Sequence, residues 1–383
     1  MLEPGAVDTT GAATLDAGGL LVLPGMIDAH VHLQEPGRED WEGFETGSAA
    51  AAAGGVTTVV DMPIDCDPPT VTPGAVVAKA DAARRHSRID VAFWGGLIPG
   101  SVGALDAMAD AGVIGFKAFG CPSGWDDFPA ADSTTLGAGM AVAARRGLPV
   151  AVHCELESLG HTTDSEVAAV AWAAALAASA GARLHVVHVS AAAAVEEARR
   201  WPGVTVETCP HYLVLDDTSS AHCFPPIRDA VNQAALWDRL RAGDIDCVAS
   251  DHSPCPPALK AGPEPWAGLE GVGLTLPLLL SSGRLELTDV VRLTTAAGPL
   301  LGLPGKGTIT VGADADLALV DPSAEWEIGP DTLLTRHRLS PYAGQRLRGR
   351  VVTTFVRGRP VFSTDAGPCE PGGGMVLSAG GSR

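Results

Sequence analysis

Two histidines one residue apart, His30 and His32, close the apolar segment Ile27-Asp28-Ala29-His30-Val31-His32. Side chains on a strand alternate between its faces, so both imidazoles point the same way. Paired imidazoles with a carboxylate just upstream, Asp28, make the start of a metal site. Histidine pairs in strands are often structural, so the rest of the chain has to decide. Further on, Lys117 lies inside Val113-Ile114-Gly115-Phe116-Lys117-Ala118-Phe119, His153 in Val152-His153-Cys154-Glu155, His188 in Val187-His188-Val189-Ser190 and Asp251 in Ser250-Asp251-His252-Ser253. Singly, each also reads as a satisfied core histidine, a snorkelling lysine or a helix-capping aspartate. Together, six polar residues in or at the ends of apolar runs favour one shared metal site.

The elements that must position them are legible in the same pattern. Apolar, β-branched runs recur at 21–33, 55–62, 90–97, 113–119, 148–154, 183–190, 204–209 and 246–251. Alanine-rich stretches that suit helices lie between them, among them 47–53, 133–146, 165–180 and 233–241. Strands alternating with helices predict a parallel α/β fold, and about eight such units in roughly 250 residues is the size of a TIM (β/α)8 barrel. In that fold chemistry sits at the C-terminal ends of the strands, which is where the six residues fall.

This constellation resembles the cyclic amidohydrolases, which include dihydroorotases, hydantoinases (dihydropyrimidinases) and allantoinases. The supporting segments are Glu35-Pro36-Gly37-Arg38-Glu39-Asp40-Trp41-Glu42-Gly43-Phe44, Asp61-Met62-Pro63, Cys121-Pro122-Ser123-Gly124, Glu207-Thr208-Cys209-Pro210-His211-Tyr212 and Pro225-Pro226-Ile227-Arg228-Asp229. Within the family the chain is most similar to the allantoinases, above all through Ser250-Asp251-His252-Ser253-Pro254-Cys255-Pro256-Pro257. The resemblance spans about 21–362. It implies a barrel over 21–303 with a small β-sandwich beside it, whose strands would lie in 304–365. Residues 1–20 would be a shortened remnant of that sandwich's N-terminal part. The Gly-, Pro- and Ser-rich stretch 366–383 is expected to be disordered.

The resemblance further implies two divalent metal ions. His30, His32 and Asp251 would hold one and His153 and His188 the other, with Lys117 bridging them after reaction with carbon dioxide to a carbamate. That reaction needs a neutral amine, and burial among apolar neighbours lowers a lysine pKa. Zinc is the first expectation, and iron, manganese and cobalt suit the same ligands. Two close metals supply a hydroxide at neutral pH and polarise a carbonyl oxygen. Asp251 would take the hydroxide's proton and pass it to the departing ring nitrogen. The expected reaction is hydrolysis of a cyclic amide, allantoin to allantoate first and hydantoin or a dihydropyrimidine as the alternative. A metal-free scaffold on the same fold is the reading from another class, and retention of all six residues argues against it.

Substrate contacts are expected from Gln34, Asp65, Ser123 and His211. Dihydroorotases carry an arginine two residues after the second histidine, where it pairs with the substrate carboxylate. Here Gln34 holds that place, which disfavours an acidic ring. Asp65, in Met62-Pro63-Ile64-Asp65-Cys66, stands where the family usually has asparagine, and His222 where a lysine is common. Ser123 reads equally as a substrate contact or a turn residue.

Composition sets limits on partners. Twenty-six basic against 45 acidic residues give a net charge of −19, which argues against nucleic acid as a partner. No apolar run reaches the ~20 residues that span a bilayer, so no membrane partner is expected. The eight cysteines contain no CxxC pair and read as reduced thiols of a cytoplasmic protein. By analogy with the family a homotetramer is expected. Gly305-Lys306-Gly307-Thr308 is only superficially a phosphate loop, because glycine follows the lysine and 307–311 reads as a sandwich strand.

Overall fold

Pro24 and Gly25 divide the first apolar run into two strands, β1 (Leu21–Pro24) and β2 (Met26–Val31), which join different sheets. Proline cannot donate to a ladder, and a Cβ on Gly25 would lie 2.2 Å from Thr57 Oγ1, so only glycine lets the chain cross there. The computed structural model describes residues 14–263 and 265–380. Residues 1–13 of the expected sandwich remnant lie outside them.

Seven more strands follow β2: β3 (Val56–Asp61), β4 (Asp90–Gly96), β5 (Gly115–Phe119), β6 (Pro149–His153), β7 (Arg183–Val186), β8 (Thr205–Thr208) and β9 (Cys247–Val248). They pair in chain order, all parallel. A bridge between Val31 and His252 closes the ring, with His32 N donating to His252 O at 2.7 Å. The strands are buried on both faces, which is why they read as continuous apolar runs and not as alternating ones. The covering helices carry their own start and stop signals. Ser133–Arg146, Thr163–Ala180 and Ala230–Ala242 are capped by the side chains of Asp132, Thr162 and Asp229, and each ends at a left-handed glycine.

The second sheet is antiparallel, in the order β1, β10 (Leu317–Glu327), β11 (Arg346–Val356), β12 (Arg359–Ser363), β13 (Gly367–Pro368). Its apolar face rests on the barrel. Ala318, Val320, Val351 and Val356 join the main core cluster, and Thr354 Oγ1 donates to Ala52 O of helix Phe44–Ala53 at 2.6 Å. The expected strand at 307–311 does not form. Gly307 and Gly312 turn the chain at φ +67° and +87°, leaving Ile309 and Val311 exposed and without a ladder partner.

The tail corrects the expectation of disorder as far as residue 380. β13 pairs with β12, and Val91 N and Met375 O, then Leu377 N and Val91 O, bond at 2.8 Å along β4. Backbone hydrogen bonds hold this stretch, so its low apolar content was a poor guide. Residues 381–383 lie outside the description.

Lys306 fastens barrel to sheet. Its Nζ lies 2.5 Å from Asp90 Oδ2 on β4, 2.7 Å from Asp316 Oδ2 and 3.0 Å from Asp314 Oδ2, and Arg357 also pairs with Asp90. With three carboxylates on its ammonium, Lys306 is a structural hub and no phosphate ligand. Removing one partner from a buried charge cluster costs about 3–5 kcal/mol. Lys306→Met is therefore expected to lower unfolding free energy by about that amount in urea titrations, and a change below ~1 kcal/mol would contradict this role. Among the described residues no helix is long and apolar enough to cross a membrane.

Candidate metal centre

The six residues come together at the C-terminal mouth of the barrel. His30 lies in β2 and His32 just beyond it, Lys117 in β5 and His153 at the end of β6, while His188 and Asp251 follow β7 and β9. None is more than 7% exposed. His30 Nε2 and His32 Nε2 approach Asp251 Oδ1 at 3.3 and 3.5 Å. Opposite them, His153 Nδ1 faces His188 Nε2 at 3.0 Å. Two donor sets thus converge, and the buried Lys117 Nζ has no hydrogen-bond partner. A fully buried ammonium without a partner is costly. The same nitrogen carrying a carbamate would be an anionic oxygen donor among imidazoles. The donor set fits divalent ions that accept nitrogen and oxygen ligands.

Carboxylates orient the imidazoles from behind. Glu207, on β8, bonds His30 Nδ1 at 2.8 Å, lies 3.4 Å from His185 Nε2 and accepts from His188 N at 3.3 Å. Glu155 bonds His153 Nε2 at 2.8 Å and His161 Nδ1 at 3.1 Å. At His30 and His153 the bond commits one ring nitrogen and leaves the other for the centre. Sequence reading gave neither glutamate a role, although both lie in quoted segments at barrel-strand ends. Their position on the same face as the histidines was the available signal.

Burial and charge set the protonation states. Burial lowers Lys117 to about 8 against the pull of Asp251 and Glu207, which brings the free amine within reach of neutral pH. Burial alone would raise Asp251, but the His30 and His32 imidazoles hold it below the ordinary carboxylate range. Glu207 is likewise held at about 2 despite its burial, by His30 and His185. Burial opposes charge on His32, yet Asp65 and Asp251 raise it to about 9.

The backbone is strained at the same place. Gln34, Asp65, His188 and Asp251 have φ of +62°, +67°, +41° and +49°. Strain of this kind persists where the surroundings over-determine the conformation, as at functional sites.

A cavity of about 390 Å³ opens over the centre, lined by all six residues and by Asp65 and Ser123. The other proposed substrate contacts are placed differently. Gln34 does not line it: its Nε2 donates to Pro254 O at 2.6 Å. His211 is buried beneath the site, within 4.8 Å of Cys209 and Asp251, and neither ring nitrogen has a hydrogen-bond partner. Ser123 donates to Phe128 O at 2.7 Å and accepts from Trp125 N at 3.2 Å, which keeps its turn role and leaves one lone pair for the cavity. Asp65 Oδ1 accepts from Trp125 Nε1, and its Oδ2 lies in ion-pair range of His32 Nδ1 at 2.7 Å.

A parallel barrel with paired imidazole sets, a buried lysine and an aspartate at its strand ends has the architecture of a metal-assisted hydrolase. Residues 21–361 match the amidohydrolase family, and the chain belongs to it. It is 44% identical over 408 residues to the allantoinase of Rubrobacter xylanophilus, covering 96% of this chain and 88% of that one. It is 42% identical over 401 residues to the allantoinase of Solibacter usitatus, with coverage of 94% and 88%. Among solved structures, the L-hydantoinase (dihydropyrimidinase) of Arthrobacter aurescens superposes with a TM-score of 0.91 at 31% identity, over 97% of this chain and 92% of that one.

Proposed function

We propose that the protein hydrolyses a neutral cyclic amide, allantoin to allantoate, with two divalent metal ions, zinc first among them. The observation that carries this reading is the cavity wall. Two imidazole sets, Lys117 and Asp251 line it, and among the described residues no arginine does. A carboxylate-bearing ring would enter beside Asp65 and Asp251 with no guanidinium to pair with, whereas a neutral ring meets no such penalty. The allantoinase relatives support the choice among neutral rings.

His30, His32 and Asp251 would hold one ion and His153 and His188 the other, with Lys117 between them as a carbamate. In that modification the neutral lysine nitrogen would form a bond to the carbon of carbon dioxide and release a proton. When bound, the ions would supply a nucleophilic hydroxide at neutral pH and would polarise the scissile carbonyl. Asp251, kept ionised, accepts the proton from the nucleophile as it adds to the carbonyl carbon. It returns that proton to the ring nitrogen as the carbon–nitrogen bond breaks. Glu207 and Glu155 keep the imidazoles in register throughout.

The likeness to a solved L-hydantoinase supports a second reading, ring opening of hydantoin or dihydrouracil by the same machinery. The test compares kcat/KM for allantoin, hydantoin, dihydrouracil and dihydroorotate, alongside elemental analysis of the purified protein. The expected result is about two metal ions per chain and a preference for allantoin of at least ~10-fold. A preference for hydantoin or dihydrouracil selects the second reading. Absence of both metal and turnover overturns both in favour of a scaffold.

A further inference from the structure

Asp65 occupies an unusual position. It sits in the left-handed backbone region at φ +67°, beside the metal centre, on the loop after β3. One carboxylate oxygen, Oδ2, lies 2.7 Å from His32 Nδ1, and the other, Oδ1, accepts from Trp125 Nε1 on the loop after β5. Trp125 is in turn capped by the Arg38 guanidinium, 4.0 Å above its ring, and packs on Trp266 with ring centroids 5.0 Å apart. Trp266 also lines the cavity. Indole nitrogen can only donate, and His32 Nδ1 must donate when its Nε2 faces the centre. One side chain thus takes a hydrogen bond from Trp125 and stands in ion-pair range of His32 Nδ1. Only a group that accepts on both oxygens satisfies them together, and an amide satisfies one while presenting its own N–H to the other.

We infer that Asp65 is a positioning residue: it fixes the His32 imidazole with Nε2 toward the centre and ties that imidazole to the Trp125 loop at the cavity mouth. This assigns Asp65 to the metal ligand and the loop in place of the substrate. It rests on the reading that His32 holds a metal ion. Partners behind a ligating histidine typically contribute about 10–100-fold in metal affinity.

The test is zinc titration of the metal-stripped full-length protein against a chelating dye, for wild type, Asp65→Asn, Trp125→Phe and the double variant. Asparagine tolerates the left-handed region, so the backbone accepts the change, and circular dichroism verifies folding. Asp65→Asn is expected to weaken at least one zinc site by about 10–100-fold. Trp125→Phe removes the second donor, so in the double variant the amide oxygen can turn to His32 and most of the lost affinity returns. A merely structural role for Asp65 gives no such rescue. Wild-type zinc affinity in Asp65→Asn, or a double variant no tighter than the single, overturns the inference while leaving the metal reading intact. A wild-type protein that binds no zinc removes the metal reading and this inference with it.

Discussion

Lys117→Ala is expected to lower kcat/KM by more than about 10³-fold and to reduce the metal bound per chain. Among the described residues, Lys117 is the lysine that lines the cavity with both imidazole sets, and as a carbamate it would be an anionic bridge. The loss should fall in or above the upper part of the range for a typical acid or base, about 10²–10⁴-fold, because the metal chemistry goes with it. The same reasoning predicts a dependence on carbon dioxide. Lys117 lines the cavity, has no hydrogen-bond partner and is moved down to about 8 by burial, which favours the neutral amine that carbon dioxide needs. Recovery of activity from metal-stripped protein with zinc should accelerate with added bicarbonate and stall in buffer purged of carbon dioxide. Recovery at one rate in both buffers would mean that the lysine acts without modification. Metal binding and turnover within tenfold of wild type in Lys117→Ala would remove it from the centre altogether.

Asp251→Asn tests the proton path. The amide keeps the shape of the side chain but can neither accept a proton from the nucleophile nor return one to the leaving nitrogen. A fall in kcat of about 10²–10⁴-fold is expected, with KM for allantoin changed far less. The His153 and His188 pair is untouched, so elemental analysis should still find metal in the variant. If kcat stays within tenfold of wild type, the proton moves by another route. If all metal is lost, Asp251 matters as a ligand before it matters as a base.

The motifs made the donor set legible because metal ligation demands particular atoms, and few residue types supply them. His30, His32, Lys117, His153, His188 and Asp251 all reached one mouth of one barrel. The barrel was legible for a related reason. Parallel strands covered on both faces leave uninterrupted apolar runs, and alanine-rich helices with capping residues separate them. Boundaries were less so: one apolar run became β1 and β2 in different sheets, divided by Pro24 and Gly25.

What stayed hidden was whatever depends on a partner far away in sequence. Glu207 stands 177 residues from His30, and nothing local marks it as that histidine's acceptor. Nothing local marks Lys306 as the partner of Asp90, 216 residues away. Of the substrate contacts expected from motifs, Gln34 gives its amide nitrogen to Pro254 O and does not line the cavity, while Asp65 does line it, with one oxygen bonded to Trp125 and the other 2.7 Å from His32 Nδ1. The tail was ordered by backbone hydrogen bonds to β4, which composition does not encode. The sequence by itself therefore determined which chemistry is available and on which repeating frame, because atom types and periodicity are local properties. Tertiary structure alone decided which group each ligand leans on and which side chains face the cavity, because those depend on which buried donors and acceptors have no other way to be satisfied.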